Sequence, residues 1–307
     1  MRTAYITHPA CIRHDMGEGH PECPARIHAI EDQLIASGLL DFLDRHEAPQ
    51  ASMEQLARVH GHDYIGQIFL QAPGSGLFYL DADTAMNQYS LEAALRAAGA
   101  AVMATDLVIS GRAENAFCNI RPPGHHAGRR CAAGFCIFNN VAVGVAHALE
   151  HHGLQRIAIA DFDVHHGNGT EDIFHDDPRV MLCSTFHHPY YPYRGADSGN
   201  EHIINVPLPA GTDGEKFRAA VSEHWLPALE RFQPQMLFVS AGFDAHREDD
   251  MGGFDLVEAD YVWVTEQIKD IARRYAERRI VSVLEGGYAL HALGRSAAAH
   301  IKSLSGL

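Results

Sequence analysis

The stretch RIAIADFDVHHGNGT (156–170) decides the fold. Its first half is short, apolar and unbroken by polar alternation, as a strand covered on both faces should be. It then passes, at Asp161, straight into polar, His- and Gly-rich sequence. Strands that empty into such loops belong to open α/β sheets, where ligands bind at the carboxyl ends of the strands. The same pattern repeats outward. AFCNI (116–120), VMLCS (180–184), QMLFVSAG (235–242) and RIVSVLEG (279–286) read as further strands. Helical patterns are predicted over 26–37, 90–110, 139–152, 215–231, 258–277 and 290–304, the second opening on Ser90 as an N-cap. This alternation implies βαβ units and a mostly parallel sheet with helices on both faces. No repeat, low-complexity tract or linker divides the chain, so one domain over residues 1–307 is expected.

Composition limits the function classes. Apolar residues are 46% of the 307 and charged residues 21%, which suits a large folded core rather than disorder. A net charge of −15 repels phosphate backbones and argues against nucleic acid; it favours cationic substrates. No apolar run is long enough to span a membrane, and the start MRTAYITHPACIRHD lacks a signal-peptide core. Six scattered cysteines fit a reducing, cytoplasmic setting, with Cys131 and Cys136 read as two ordinary thiols.

In DFDVHH, Asp161, Asp163 and His165 share one face if the chain stays extended past Asp161. A carboxylate and an imidazole two residues apart can grip one divalent ion, and Asp244, in VSAGFDAH (239–246), is the best candidate for a third ligand. Two carboxylates and one imidazole leave positions open for water and substrate, as a catalytic zinc requires. The competing reading is that Asp163 and Asp244 cap helices after their strands.

RPPGHHAG (121–128) places His125 and His126 after a Pro-Pro-Gly turn, with Gly124 permitting a sharp bend. Other histidine pairs, His151-His152 and His187-His188, read as surface residues. The first pair differs because Asp161 can orient one imidazole and raise its basicity, while Asn168 can accept the N–H of the other without adding charge. Two histidines with different partners have separated proton affinities, which suits acid and base roles. In VLEGGYAL (283–290) two glycines can turn Tyr288 toward the site as a donor to a developing oxyanion, the competing reading being a Tyr packed in a turn. GFCIFNN (134–140) and HPYYPYRG (188–195) supply aromatics that read either as walls of a narrow slot or as core packing.

RPPGHHA, GFCIFNN, DFDVHHGNGT, SAGFDAH and LEGGY, in that order, resemble the histone deacetylase family of the arginase/deacetylase superfamily. GEGHPECPARI (17–27) extends the resemblance over about residues 3–300, and RPPGHHA and HHGNG are similar to its class II branch, in a bacterial-type form. The resemblance implies a three-layer α/β fold with a central, mostly parallel sheet of about eight strands. It implies one Zn2+ on Asp163, His165 and Asp244. His125 would be the tandem histidine buffered by Asp161. His126, partnered by Asn168, would be the principal acid and base toward a metal-activated water, and Tyr288 the electrophile. Phe135 and Tyr191 would line the tunnel, and the Gly134 carbonyl would accept a substrate N–H. A monovalent cation, usually potassium, would sit at Asp161, Asp163, His165, Ser184 and Thr185. Phe162 stands where Trp or Leu is common, and STFHHPYYP (184–192) makes the tunnel more polar than usual. Met251 stands where lysine deacetylases often have Leu and polyamine-selective members Glu. The expected activity is hydrolysis of a small-molecule or peptide N-acyl amine, most directly an acetyl-lysine-type amide, by a stand-alone enzyme compatible with homo-oligomers. The alternatives are an acetylpolyamine amidohydrolase, a binuclear manganese ureohydrolase, for which the bridging Asp-rich set is missing, and a catalytically dead acyl-lysine-binding protein.

Overall fold

The computed structural model describes residues 3–307. Its strands are β1 (Ala4–Thr7), β2 (Asp44–Glu47), β3 (Phe78–Tyr79), β4 (Ala85–Met86), β5 (Asn115–Cys118), β6 (Ile157–Asp161), β7 (Val180–His187), β8 (Ile203–Leu208), β9 (Met236–Ala241) and β10 (Ile280–Leu284). Its α-helices are α1 (Ala10–Arg13), α2 (Ala25–Ala36), α3 (Met53–Ala57), α4 (His62–Gln71), α5 (Ser90–Ile109), α6 (Asn140–Glu150), α7 (Asn168–Phe174), α8 (Gly214–Ala220), α9 (Leu226–Phe232), α10 (Glu258–Tyr275) and α11 (Leu290–Ser305). Eight strands form one sheet in the order β2-β1-β5-β10-β9-β6-β7-β8, while β3 and β4 pair as a separate small hairpin. Every neighbouring pair in the large sheet is parallel.

Strand alternation divides the interior into two cores. Ile157 and Ile159 of β6 face one, with Phe238 of β9 and Val281 of β10, under α5 and α6. Ala158 and Ala160 face the other, with Leu237, Val239 and Ile280, under α2, α10 and α11. Both faces are therefore apolar, which is why these strands read as unbroken hydrophobic runs.

The five strands expected from the sequence and the six helical segments all form, within a few residues at their ends. β2 (DRHE) has no apolar signal because it lies at the sheet edge with a half-exposed, alternating face. β8 carries Pro207, and it too is an edge strand, where a missing N–H is tolerated. The segment expected as one helix over 215–231 passes through a π-helical stretch, Val221–Trp225, before α9. Pro227 lies in the first turn of α9, and the wider turn relieves its clash with the preceding carbonyls. Ser90 does not cap α5. It is the first helical residue, and its hydroxyl instead pairs with Asn87 and with His14 Nδ1 at 2.7 Å.

What matters for the site is adjacency. β5, β10, β9, β6 and β7 are consecutive neighbours, and their exits carry the histidine loop, Tyr288, Asp244, the DFDVHH segment and the Tyr-rich loop respectively.

Candidate active site

β6 ends at Asp161, so extension does not persist into DFDVHH as expected. The chain folds instead through two successive turns, in which Asp161 Oδ1 accepts from the Asp163 N–H (3.2 Å) and Asp163 Oδ1 from the His165 N–H (2.8 Å). This separates the side chains. Asp161 Oδ2 turns to His125 Nδ1, at 3.0 Å. His165 Nδ1 sits 3.1 Å from Asp163 Oδ1 and 3.2 Å from Asp244 Oδ2. One ligand atom from each of Asp163, His165 and Asp244 lies within 4.8 Å of the others, and all three residues are buried. Neither aspartate caps a helix: Asp244 Oδ1 accepts the Val164 N–H at 3.0 Å, and Asp163 Oδ2 accepts that of Gly286 at 2.8 Å.

The donor set fits a divalent cation. Burial, and then the neighbouring Asp163, push the Asp244 carboxyl up to about 6, while burial of His165 is outweighed by the two carboxylates, which lift it to about 10. The two carboxylates hold a proton on the imidazole between them, and a bound dication would take that proton's place. Gly286 leaves the necessary room. A Cβ there would fall against the facing carboxylate oxygens, Asp163 Oδ2 at 2.6 Å among them.

His125 and His126 lie side by side, ring centroids 4.0 Å apart, and differ in their surroundings. Burial opposes a charge on His125, but Asp163, Asp161 and Glu285 together raise its proton affinity well above the ordinary range. His126 donates from Nδ1 to Asn168 Oδ1 at 2.7 Å; burial, then His125 and His165, depress it well below that range. The pair is thus split into one imidazole that holds its proton and one that stays neutral.

Tyr288 follows Gly287, whose φ of +122° only glycine adopts readily. Burial and the nearby Asp244 raise the phenol well above its usual value, so it stays a donor. With His126, His165, Gly134, Phe135, Tyr191 and Met251, it lines a cavity of about 230 Å³. Phe135 stands edge-on to Tyr288, with centroids 5.8 Å apart, and Tyr191 edge-on to His126, at 5.1 Å. A larger hollow of about 590 Å³, behind His166 and Glu171, reaches neither Tyr288 nor the carboxylate pair. Ser184 is the ladder partner of Asp161, and Ser184 and Thr185 are both buried on β7.

Several residues of the site were not singled out from the sequence. Glu285 Oε2 accepts the N–H groups of Gly124 (2.7 Å) and His125 (3.0 Å), bolting the histidine loop to the end of β10; burial pushes its carboxyl up to about 7. The only sequence signal was an acid ending the apolar run VSVL. Asp249 Oδ2 accepts from the Tyr288 and Ala289 N–H groups (2.6 and 3.0 Å), and its other oxygen from Met251 (3.0 Å). Arg26 Nε donates to the Gly287 carbonyl at 2.7 Å, with its guanidinium 5.1 Å from the Tyr288 ring centroid. Asp83, from the hairpin loop between β3 and β4, joins the cavity lining. His187 is not the surface residue expected. It is buried, stacks on Tyr190 at 4.4 Å and hydrogen-bonds the Gly252 carbonyl at 2.9 Å. Gly124 also differs from expectation. It is required by close packing, since a Cβ would lie 2.5 Å from Asn140 N and 2.9 Å from the Phe138 carbonyl. Cys131 and Cys136 are free thiols, as read.

Residues 20–304 match the model of the histone deacetylase domain. The chain belongs to the histone deacetylase family. It is similar to a probable deacetylase of Archaeoglobus fulgidus, with 35% identity over 94% of this chain and 82% of that protein. It is also similar to a histone deacetylase-like amidohydrolase of Pseudomonas aeruginosa, with 36% identity over all of this chain and 87% of that protein. Among solved structures, the HDA15 HD domain superposes with a TM-score of 0.94 at 34% identity, covering 99% of this chain and 88% of that one. The eight-stranded parallel sheet with helices around it is accordingly the arginase/deacetylase fold. Deacetylase or amidohydrolase chemistry on acyl-amine substrates follows for this histone deacetylase-family chain, and no described helix is long and apolar enough to cross a membrane.

Proposed function

We propose that this family member, read as one domain over residues 1–307, is a zinc-dependent deacetylase acting on acetyl-lysine-type amides. One observation carries the reading. His165, which joins Asp163 and Asp244 in the carboxylate–imidazole–carboxylate set, the amide-partnered His126 and the Tyr288 phenol border the same small cavity, with the charge-partnered His125 packed directly behind His126.

Asp163, His165 and Asp244 would hold the zinc, which when bound supplies a Lewis acid for the acyl carbonyl and lowers the pKa of water. His126, with low proton affinity, takes the proton from the attacking water and returns it to the departing amine. Asn168 fixes its tautomer without adding charge. His125 keeps its proton against Asp161 and supports the developing negative charge. Tyr288 donates to the oxyanion. Phe135 and Tyr191 form the walls, Met251 the rim, and the Gly134 carbonyl accepts the substrate N–H. We assign a potassium ion to Asp161, Asp163, His165, Ser184 and Thr185. The decisive test is His126→Ala on an acetyl-lysine reporter: activity should vanish while zinc content is kept, and persistence of activity would remove the assignment.

A second reading, acetylpolyamine hydrolysis, is favoured by Asp83 in the cavity lining and by the −15 net charge, both suited to a cationic substrate. Relative turnover of acetylputrescine, acetylspermidine and an acetyl-lysine peptide separates the two.

A further inference from the structure

A second group of metal-binding side chains lies where the carboxyl ends of α5 and α6 meet. Asp106 is in the last turn of α5, His147 in the last turn of α6, and His151 and His152 follow at its exit. None of them lines the acyl-amine cavity. His147 and His151 are one helical turn apart and their rings stack at 4.7 Å, while His152 stands edge-on to both, at 5.2 and 4.8 Å. His147 Nε2 and His152 Nε2 converge on the same carboxylate oxygen, Asp106 Oδ1, at 2.8 and 2.7 Å. One ligand atom from each of the four residues lies within 4.8 Å of every other. Tetrahedral zinc with bonds of about 2.0–2.2 Å holds its ligand atoms roughly 3.3–3.5 Å apart, so small side-chain rotations close the shell.

Two further features point to a cation. Both helices aim their carboxyl ends, the negative poles of their dipoles, at the group. His147 is buried, which shields a metal bond there from water. We propose that Asp106, His147, His151 and His152 form a second zinc site, a clip between α5 and α6. Three imidazoles and one carboxylate suit zinc, with nickel and copper as chemical competitors.

The surroundings add a specific consequence. Arg58 donates from its guanidinium to His147 Nδ1 at 3.1 Å and also contacts Glu54 at 3.1 Å. A permanent donor at Nδ1 puts the imidazole proton on Nε2, the atom needed for zinc. Binding therefore shifts that proton to Nδ1 and turns Arg58 away. Metal-bound histidines want an acceptor behind them, and supplying one is worth about 10–100-fold in affinity.

The experiment measures zinc per chain in the full-length protein after equilibrium dialysis against zinc alone. Wild type should retain one zinc more per chain than His151→Ala/His152→Ala, and that variant should keep its activity on an acetyl-lysine reporter. Because the readout is a difference, it holds whatever the other site binds. Asp106→Asn should weaken this zinc at least about tenfold, and Arg58→Gln, which offers His147 an amide oxygen, should tighten it about tenfold. Equal zinc content in wild type and the double variant overturns the site. An unchanged affinity in Arg58→Gln overturns the ligation of His147 through Nε2.

Discussion

Replacing Glu285 isolates the bond that carries the histidine loop. Its carboxylate is fully buried and accepts two backbone N–H groups, from Gly124 at 2.7 Å and His125 at 3.0 Å. In Glu285→Ala both donors remain buried without partners, at about 1–3 kcal/mol each, or roughly 2–6 kcal/mol together. Relief of the buried carboxylate's desolvation offsets part of this, so a net loss of about 2–3 kcal/mol is expected. Glu285→Gln keeps an oxygen with two lone pairs and should lose about 1 kcal/mol or less. Urea denaturation of wild type and both variants at one pH measures the stabilities, and deacetylase turnover is read in parallel. Alanine should lower turnover strongly by releasing His125, whereas glutamine should retain most of it. The reasoning is refuted if alanine lies within 0.5 kcal/mol of wild type, or if glutamine is as damaging as alanine, because charge and not backbone acceptance would then be the function of this side chain.

Other perturbations probe the rest of the molecule. Tyr288→Phe should cost roughly a hundred- to thousandfold in kcat, about 3–4 kcal/mol, with little change in zinc content; steady-state kinetics with metal analysis checks it. Gly286→Ala should block the proposed zinc site, because its methyl meets the Asp163 and Asp244 carboxylates, and zinc content after dialysis should fall by one per chain relative to wild type. His60 is buried, donates from Nδ1 to the Gly128 carbonyl and accepts the Asn139 N–H at Nε2, and burial lowers its pKa to about 4. A depressed histidine contributes stability that is complete above its unfolded value near 6.5 and is lost as pH falls through about 4. His60→Gln should therefore remove about 2 kcal/mol of the fall in stability between pH 7 and pH 5, compared by denaturant titration at both pH values.

The central strands, their strand-to-loop exits and the polar residues standing at those exits were legible in the sequence. Two-sided burial writes each central strand as an apolar run, and the residues closing it stand out as Asp161, Asp244 and Tyr288. Edge strands such as β2 escaped notice because half of their surface faces water and carries no hydrophobic signal. Only the tertiary structure decided which residues meet. Strand order is a property of the sheet and not of the chain, so β5, β10, β9, β6 and β7 become neighbours although their sequence order is different. The supporting groups were hidden for a related reason. Glu285, Asp249 and Arg26 act on backbone N–H and carbonyl groups, which every residue possesses and no motif records. The same limit applied to His147, His151 and His152. His151 and His152 read as a surface pair, and His147 only as part of a helix, until the packing of α5 against α6 brought Asp106 to His147 and His152.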